Sequence, residues 1–114
     1  MPMISLTTSK KVDQTVSNAL AKACGAGISL LPGKSEAHLM LSFRGDVPMY
    51  FAGKNGDYAF FDVQCFGASV DKGGADKLTA VLCKAAEAIL GIPGSGVYVK
   101  YSATTVWGWN GGNF

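Results

Sequence analysis

The chain reads as an α/β (α+β) protein in which two βαβ pseudo-repeats form a mixed four-stranded sheet with two helices on one face. Three observations carry this reading. An alternating segment, a helical segment and a second alternating segment follow one another twice. The two units have nearly equal length: Pro2 to His38 is 38 − 2 = 36 positions, and Tyr58 to Val97 is 97 − 58 = 39. Finally, 114 residues suit one domain, residues 1–114, and leave no third layer for the second sheet face, so self-association is expected to cover it.

Residues 2–8, Pro-Met-Ile-Ser-Leu-Thr-Thr, alternate as a strand does, and Ser9 is the candidate cap of a helix from about Lys11 to Leu30. Val12, Val16, Ala19, Leu20 and Ala23 keep helical spacing; Gly25 and Gly27 weaken the far end by about 1 kcal/mol each, and Pro32-Gly33 stops it. His38–Phe43 is the second strand, and residues 44–57 carry turn chemistry. Tyr58–Phe66 is the third strand. Gly73-Gly74 opens a helix with the stripe Leu78, Val81, Leu82, Ala85, Ala86 and Ile89, stopped by Gly91 and Pro93. Val97–Tyr101 is the last strand, before the tail Trp107-Gly-Trp-Asn-Gly-Gly-Asn-Phe114.

Hydrophobic residues are 48% of the chain and charged residues 16%, an apolar balance that again points to a partner subunit. The ten Lys and Arg are dispersed against eight Asp and Glu, so no basic stripe marks a nucleic-acid partner. No apolar run nears the roughly 18 residues of a membrane span, and no signal core follows the amino terminus; the chain reads as cytoplasmic. Cys24, Cys65 and Cys83 are odd in number and widely spaced with no Cys-x-x-Cys, which indicates buried free thiols and neither a disulfide framework nor a zinc site.

Pro2 directly follows Met1. Methionine aminopeptidases act when the second residue is small, and removal of Met1 would leave Pro2 as a secondary amine. Such an amine is a base near neutral pH once burial or a nearby cation lowers its pKa; with Met1 attached, its nitrogen is an amide and has no basicity.

The residues then point to a family. The chain resembles macrophage migration inhibitory factor and its relatives in the tautomerase superfamily, end to end. The resemblance rests on the Pro2 start, Pro32-Gly33-Lys34, Pro48-Met49 with Gly53, Cys65-Phe66-Gly67, Val97-Tyr98-Val99, and Trp107-Gly108-Trp109-Asn110-Gly111 with Asn113-Phe114. It implies a homotrimer with active sites at subunit boundaries and cofactor-independent keto-enol tautomerisation of arylpyruvates such as phenylpyruvate, with dopachrome-like compounds as further substrates. It places the catalytic base on Pro2, a substrate-binding lysine on Lys34, a backbone N–H donor on Phe66, and a tyrosine from the neighbouring subunit on Tyr98. Met3, His38, Trp107, Trp109 and Phe114 fall on positions that line or rim the pocket.

Other readings stand beside these. Lys34 just past a helix end also complements the helix dipole. Lys100, where mammalian relatives carry asparagine, is either a solvated strand lysine or a second cation for the substrate carboxylate. His38 replaces a rim tyrosine and is read as pocket lining before catalysis; Trp107 replaces a smaller residue and could narrow the mouth or stack on a planar substrate. Tyr58 and Phe61 stand where mammalian relatives have a Cys-x-x-Cys motif, so thiol oxidoreductase activity is expected to be absent. The alternative function is a cytokine-like protein that binds a receptor through the trimer surface, with a vestigial pocket and export without a signal peptide. Dehalogenation or decarboxylation ranks last, since Glu36 is the one extra acid near Lys34.

Overall fold

The opening alternation becomes strand β1 (Pro2–Thr8) in the computed structural model, which describes residues 1–114: Pro2, Ile4, Leu6 and Thr8 are buried and the residues between them half-buried. Helix α1 (Gln14–Gly27) starts later than the sequence suggests. Asp13 is its cap, accepting from the Val16 N–H at 2.9 Å, and Ser9 serves elsewhere. The Ser9 hydroxyl donates to Asp57 at 3.0 Å and accepts from the Tyr58 N–H at 3.1 Å, tying the end of β1 to the start of the third sheet strand. Asp competes well with Ser as a cap, and Ser9 already has partners. Gly27 has a packing role inside the helix: a Cβ there would lie 3.1 Å from Leu78 and 3.2 Å from Val81, so its absence lets the two helices approach.

His38 is not on a strand. It ends a 3₁₀ turn, Glu36–His38, closed by the Leu39 N–H on the Glu36 carbonyl at 3.1 Å, and β2 (Met40–Arg44) begins two residues later. The turn-rich stretch that follows contains a small hairpin, β3 (Tyr50–Phe51) and β4 (Lys54–Asn55). Strand β5 (Ala59–Phe66) and helix α2 (Lys72–Ala85) follow. Asp71 caps α2 by accepting from the Gly74 N–H at 2.8 Å, so Gly73 and Gly74 lie in the first turn. A π turn over Ala86–Leu90 ends at Gly91, whose φ of 69° is the left-handed stop that glycine suits. Strand β6 (Val97–Thr104) runs three residues beyond the expected end, and the tail folds into a second hairpin, β7 (Gly108–Trp109) and β8 (Gly112–Asn113).

The sheet order is β2-β1-β5-β6; β1 pairs parallel with β2, antiparallel with β5, and β5 parallel with β6. The mixed sheet joins two parallel βαβ units through one antiparallel seam, as the pseudo-repeat predicted. Ile4, Leu6, Phe61 and Val63 face Leu20, Leu78 and Leu82 of the helices, all at 0–1% exposure. Fully burying such a side chain is worth roughly 1.5–3 kcal/mol. The opposite face carries Met3, Ser5, Thr7, Met40, Ser42, Phe60, Asp62, Gln64, Tyr98 and Lys100 and has no cover within the chain. Met40, Tyr98, Val106, Trp109 and Phe114 remain exposed. No helix is long and apolar enough to cross a membrane.

Candidate active site

Pro2 heads a central strand between β2 and β5, the place in a sheet where proline is tolerated because its missing N–H falls at the strand's first residue. It lies opposite Cys65 and lines an open, largely apolar groove of about 940 Å³. Met3, His38, Trp107 and Trp109 line the same groove. Next to it, the Phe66 N–H donates to the Met1 carbonyl at 2.9 Å, so the donor assigned to Phe66 is occupied while Met1 is attached.

Lys34 reaches this point from the other side. Gly33, at φ 76°, turns the chain after α1, and the Lys34 Nζ donates to the Phe66 carbonyl at 2.7 Å. Lys34 is half-buried and lines a smaller cavity of about 280 Å³ with Pro32, Cys65 and Gly67. Its ammonium acts on the terminal amine: burial is the main cause that lowers the Met1 amine from its ordinary value of 8.0, and the Lys34 charge lowers it further. Burial pushes the Cys65 thiol up, with Lys34 and the terminal amine pulling against it. A buried neutral thiol beside the amine fits this balance.

Aromatic rings wall the site. His38 meets Trp109 edge-on at 6.3 Å between ring centroids; Trp109 stacks on Phe114 at 6.5 Å, and Phe114 packs on Phe66 at 5.3 Å. The β7–β8 hairpin holds them: Asn110 (φ 51°) and Gly111 (φ 85°) form the tight turn, and the Phe114 N–H donates to the Trp107 carbonyl at 3.0 Å. Asn-Gly is the pair that tolerates such a turn best.

Tyr98 and Lys100 are not part of this constellation. Tyr98 is opposite Phe60, five positions along β5 from Cys65, which puts it about 17 Å from the Pro2 end at 3.3 Å per residue. Lys100 is opposite Asp62, about 10 Å from that end on the same scale. Neither side chain lines the Pro2 groove of its own chain. Gln64, Met40, Thr104 and Val106 line the groove and escaped the sequence reading. Gln64 was within reach: it is opposite Met3 on β1, one position from Cys65, and an alternating strand puts it on the groove side.

A weakly basic amine beside an ammonium, in an aromatic groove, can hold a planar anion and exchange a carbon-bound proton. Comparison with solved structures places the fold among proteins of one kind. The chain is similar to the Leishmania major protein MIF2, with a TM-score of 0.93 and 29% identity over 100% of this chain and 97% of that one. It is also similar to the macrophage migration inhibitory factor homologue of Prochlorococcus marinus, with a TM-score of 0.85 and 27% identity over 98% of each chain. A macrophage migration inhibitory factor-like protein of Entamoeba histolytica shares the fold at a TM-score of 0.87 and 23% identity, over 99% of this chain and 98% of that one. No family model and no curated protein matches the chain.

Proposed function

We propose, from the chain's membership of the macrophage migration inhibitory factor family in the tautomerase superfamily, which supports an isomerase-type enzyme, that it is a keto-enol tautomerase of arylpyruvates. The observation that carries the proposal is the meeting of three groups at the head of β1: Pro2 lines the aromatic groove, and the Phe66 backbone, bonded to both the Met1 carbonyl and the Lys34 ammonium, lines the smaller cavity beside it with Lys34. With Met1 removed, Pro2 becomes the terminal amine at that edge, and the Phe66 N–H loses its Met1 carbonyl and is free for a substrate oxygen.

The Pro2 nitrogen takes a proton from the carbon beside the keto group, and the electron pair moves to oxygen as an enolate. Return of that proton to oxygen gives the enol, and the reverse order gives the ketone. Lys34 pairs with the substrate carboxylate, and its charge disfavours protonated Pro2, so the amine stays neutral at lower pH. Trp107, Trp109 and Phe114 hold the aryl ring. Because Tyr98 is far from Pro2 in its own chain, it serves the site of a neighbouring copy in a homotrimer, in which Lys100 adds a cation near the carboxylate. The uncovered sheet face and the exposed Met40 and Tyr98 support such an assembly.

The test is phenylpyruvate tautomerisation by protein whose mass confirms loss of Met1. The neutral amine is the base, so the rate should rise with pH through an apparent pKa below 8.0, the ordinary α-amino value, and fall away beneath it. No rate above buffer would reject the arylpyruvate reading and favour the receptor-binding one.

A further inference from the structure

Tyr98 has company that the catalytic reading does not use. Its ring meets Phe51 edge-on, with centroids 5.1 Å apart and planes at 62°. Phe51 in turn packs on Tyr58 at 5.5 Å, and the Tyr58 hydroxyl donates to the Lys54 carbonyl on the second strand of the hairpin at 3.2 Å. Gly96 makes room, since a Cβ there would stand 3.3 Å from the Tyr58 ring. Tyr98 itself is 63% exposed, and its hydroxyl has no hydrogen-bond partner in the chain. An exposed ring with two free torsions needs something to hold it, and an edge-to-face pair is a directional constraint as well as an apolar contact. The segment leading into the hairpin is tied to the sheet by the Val47 N–H on the Thr8 carbonyl at 3.1 Å, and the Gly56 N–H on the Met49 carbonyl at 3.3 Å closes the hairpin's base, so Phe51 is not a loose prop.

We propose that Phe51, carried on the β3–β4 hairpin, is a positioning residue: it fixes the Tyr98 ring so that its hydroxyl is presented to the substrate bound in a neighbouring copy. This rests on the arylpyruvate reading and on Tyr98 acting across the subunit boundary. It adds a residue outside both grooves to the determinants of substrate binding, and it gives the β3–β4 hairpin a function. The preference it enforces is for substrates with an oxygen where the Tyr98 hydroxyl is held.

The experiment compares wild type, Phe51→Leu, Phe51→Tyr, Tyr98→Phe and the double variant Phe51→Leu/Tyr98→Phe, all free of Met1 and matched for assembly by analytical ultracentrifugation. Phe51→Leu should raise KM for phenylpyruvate about threefold to tenfold with little change in kcat, the range one aromatic pair is worth. Phe51→Tyr, which keeps the ring, should restore KM. The double variant should be no worse than Tyr98→Phe alone, because Phe51 acts through Tyr98. A second measurement needs no turnover: 3-fluorotyrosine placed at position 98 should shift its fluorine resonance when Phe51 becomes Leu.

Additive losses in the double variant, or an unshifted fluorine signal, would overturn the proposal. So would an unchanged KM in Phe51→Leu beside a raised KM in Tyr98→Phe. Wild type inactive on phenylpyruvate would reject the parent reading instead, and the fluorine signal separates the two failures.

Discussion

The two ends of the sheet are built alike and loaded differently. Each carries a two-residue hairpin with both turn residues at positive φ: Asn110 and Gly111 at the Pro2 end, Ala52 and Gly53 at the Tyr98 end. Each hairpin sets an aromatic residue just before its turn, Trp109 in one and Phe51 in the other, and each ring joins a cluster. Only the Pro2 end has an amine, an ammonium and a groove. The Tyr98 end has an exposed tyrosine, and the cavity of about 540 Å³ beside its hairpin has no aromatic lining, being walled by Ser9, Asp46, Met49, Asn55 and Asp57. The two ends read as halves of one site, kept apart in a single chain by the length of a strand and joined when copies assemble. On the proposed reading one chain cannot form a complete site, and activity is a property of the assembly.

Removing the base should break the comparison most. Pro2→Gly keeps a terminal amine but loses the rigid secondary one, and kcat/KM should fall about 10²- to 10⁴-fold, the usual range for a positioned base, read from initial rates. Next comes Lys34→Ala, still at the Pro2 end. It should raise KM for phenylpyruvate about tenfold, as expected for the loss of one charge-assisted pair, and leave aliphatic uncharged ketones less affected. The Lys34 charge lowers the pKa of the Met1 amine, and a Pro2 amine exposed at the same end should feel it too, so the same variant should move the pH–rate midpoint upward; a midpoint that stays put would separate Lys34 from the amine.

Tyr98→Phe tests the far end and should cost about threefold to tenfold in kcat/KM, roughly one hydrogen bond. Mixed assemblies sharpen the point. Pro2→Gly subunits co-refolded with Tyr98→Phe subunits should regain activity above the weighted mean of the parents, since some boundaries then pair an intact Pro2 with an intact Tyr98. A strict average would place both residues in the same chain's site.

The smallest effect separates the hairpins themselves. Ala52 holds a left-handed backbone that costs an L-residue with a Cβ about 1 kcal/mol, whereas Asn110 tolerates it. Ala52→Gly or Ala52→Asn should therefore raise thermal stability by a few degrees, and Asn110→Ala should lower it by a similar amount, measured by calorimetry. No gain from Ala52→Gly, or no loss from Asn110→Ala, would mean that the left-handed turn residue does not set the stability of that hairpin.

Much of this was legible in the residues. The strand and helix periods gave the two βαβ units, because buried alternation in β1 and β5 and the apolar stripe in α2 leave little choice of partner face. Caps and short hairpins were harder. Ser9 and Asp13 are both good caps, and only the contact between Ser9 and Asp57, 48 positions away, decides between them. His38-Leu39-Met40 reads as strand because its residues suit one, yet the backbone bond of Leu39 to Glu36 closes a turn first. The β3–β4 hairpin hid because Ala52 is a poor sign of a positive φ. At the site, the aromatic tail and Lys34 were legible through the family resemblance, while Gln64 and Phe51 were missed: Gln64 needed the alternation of β5 followed one step from Cys65, and Phe51 depends on ring contacts that no local pattern encodes.

The seam between β1 and β5 has a consequence for how the chain reaches its working form. Pro2 pairs with Cys65 and Thr8 with Ala59, so the seam joins residues 65 − 2 = 63 and 59 − 8 = 51 positions apart. Closing such distant segments is the slow kind of step in folding, and β1 must wait for it although it is made first. The same closure brings Pro2 to Lys34 and Phe66. A chain stalled before that event could hold both helices and most of its β6 pairing and still lack a working amine, so the recovery of turnover during refolding would time the last registry step of the sheet.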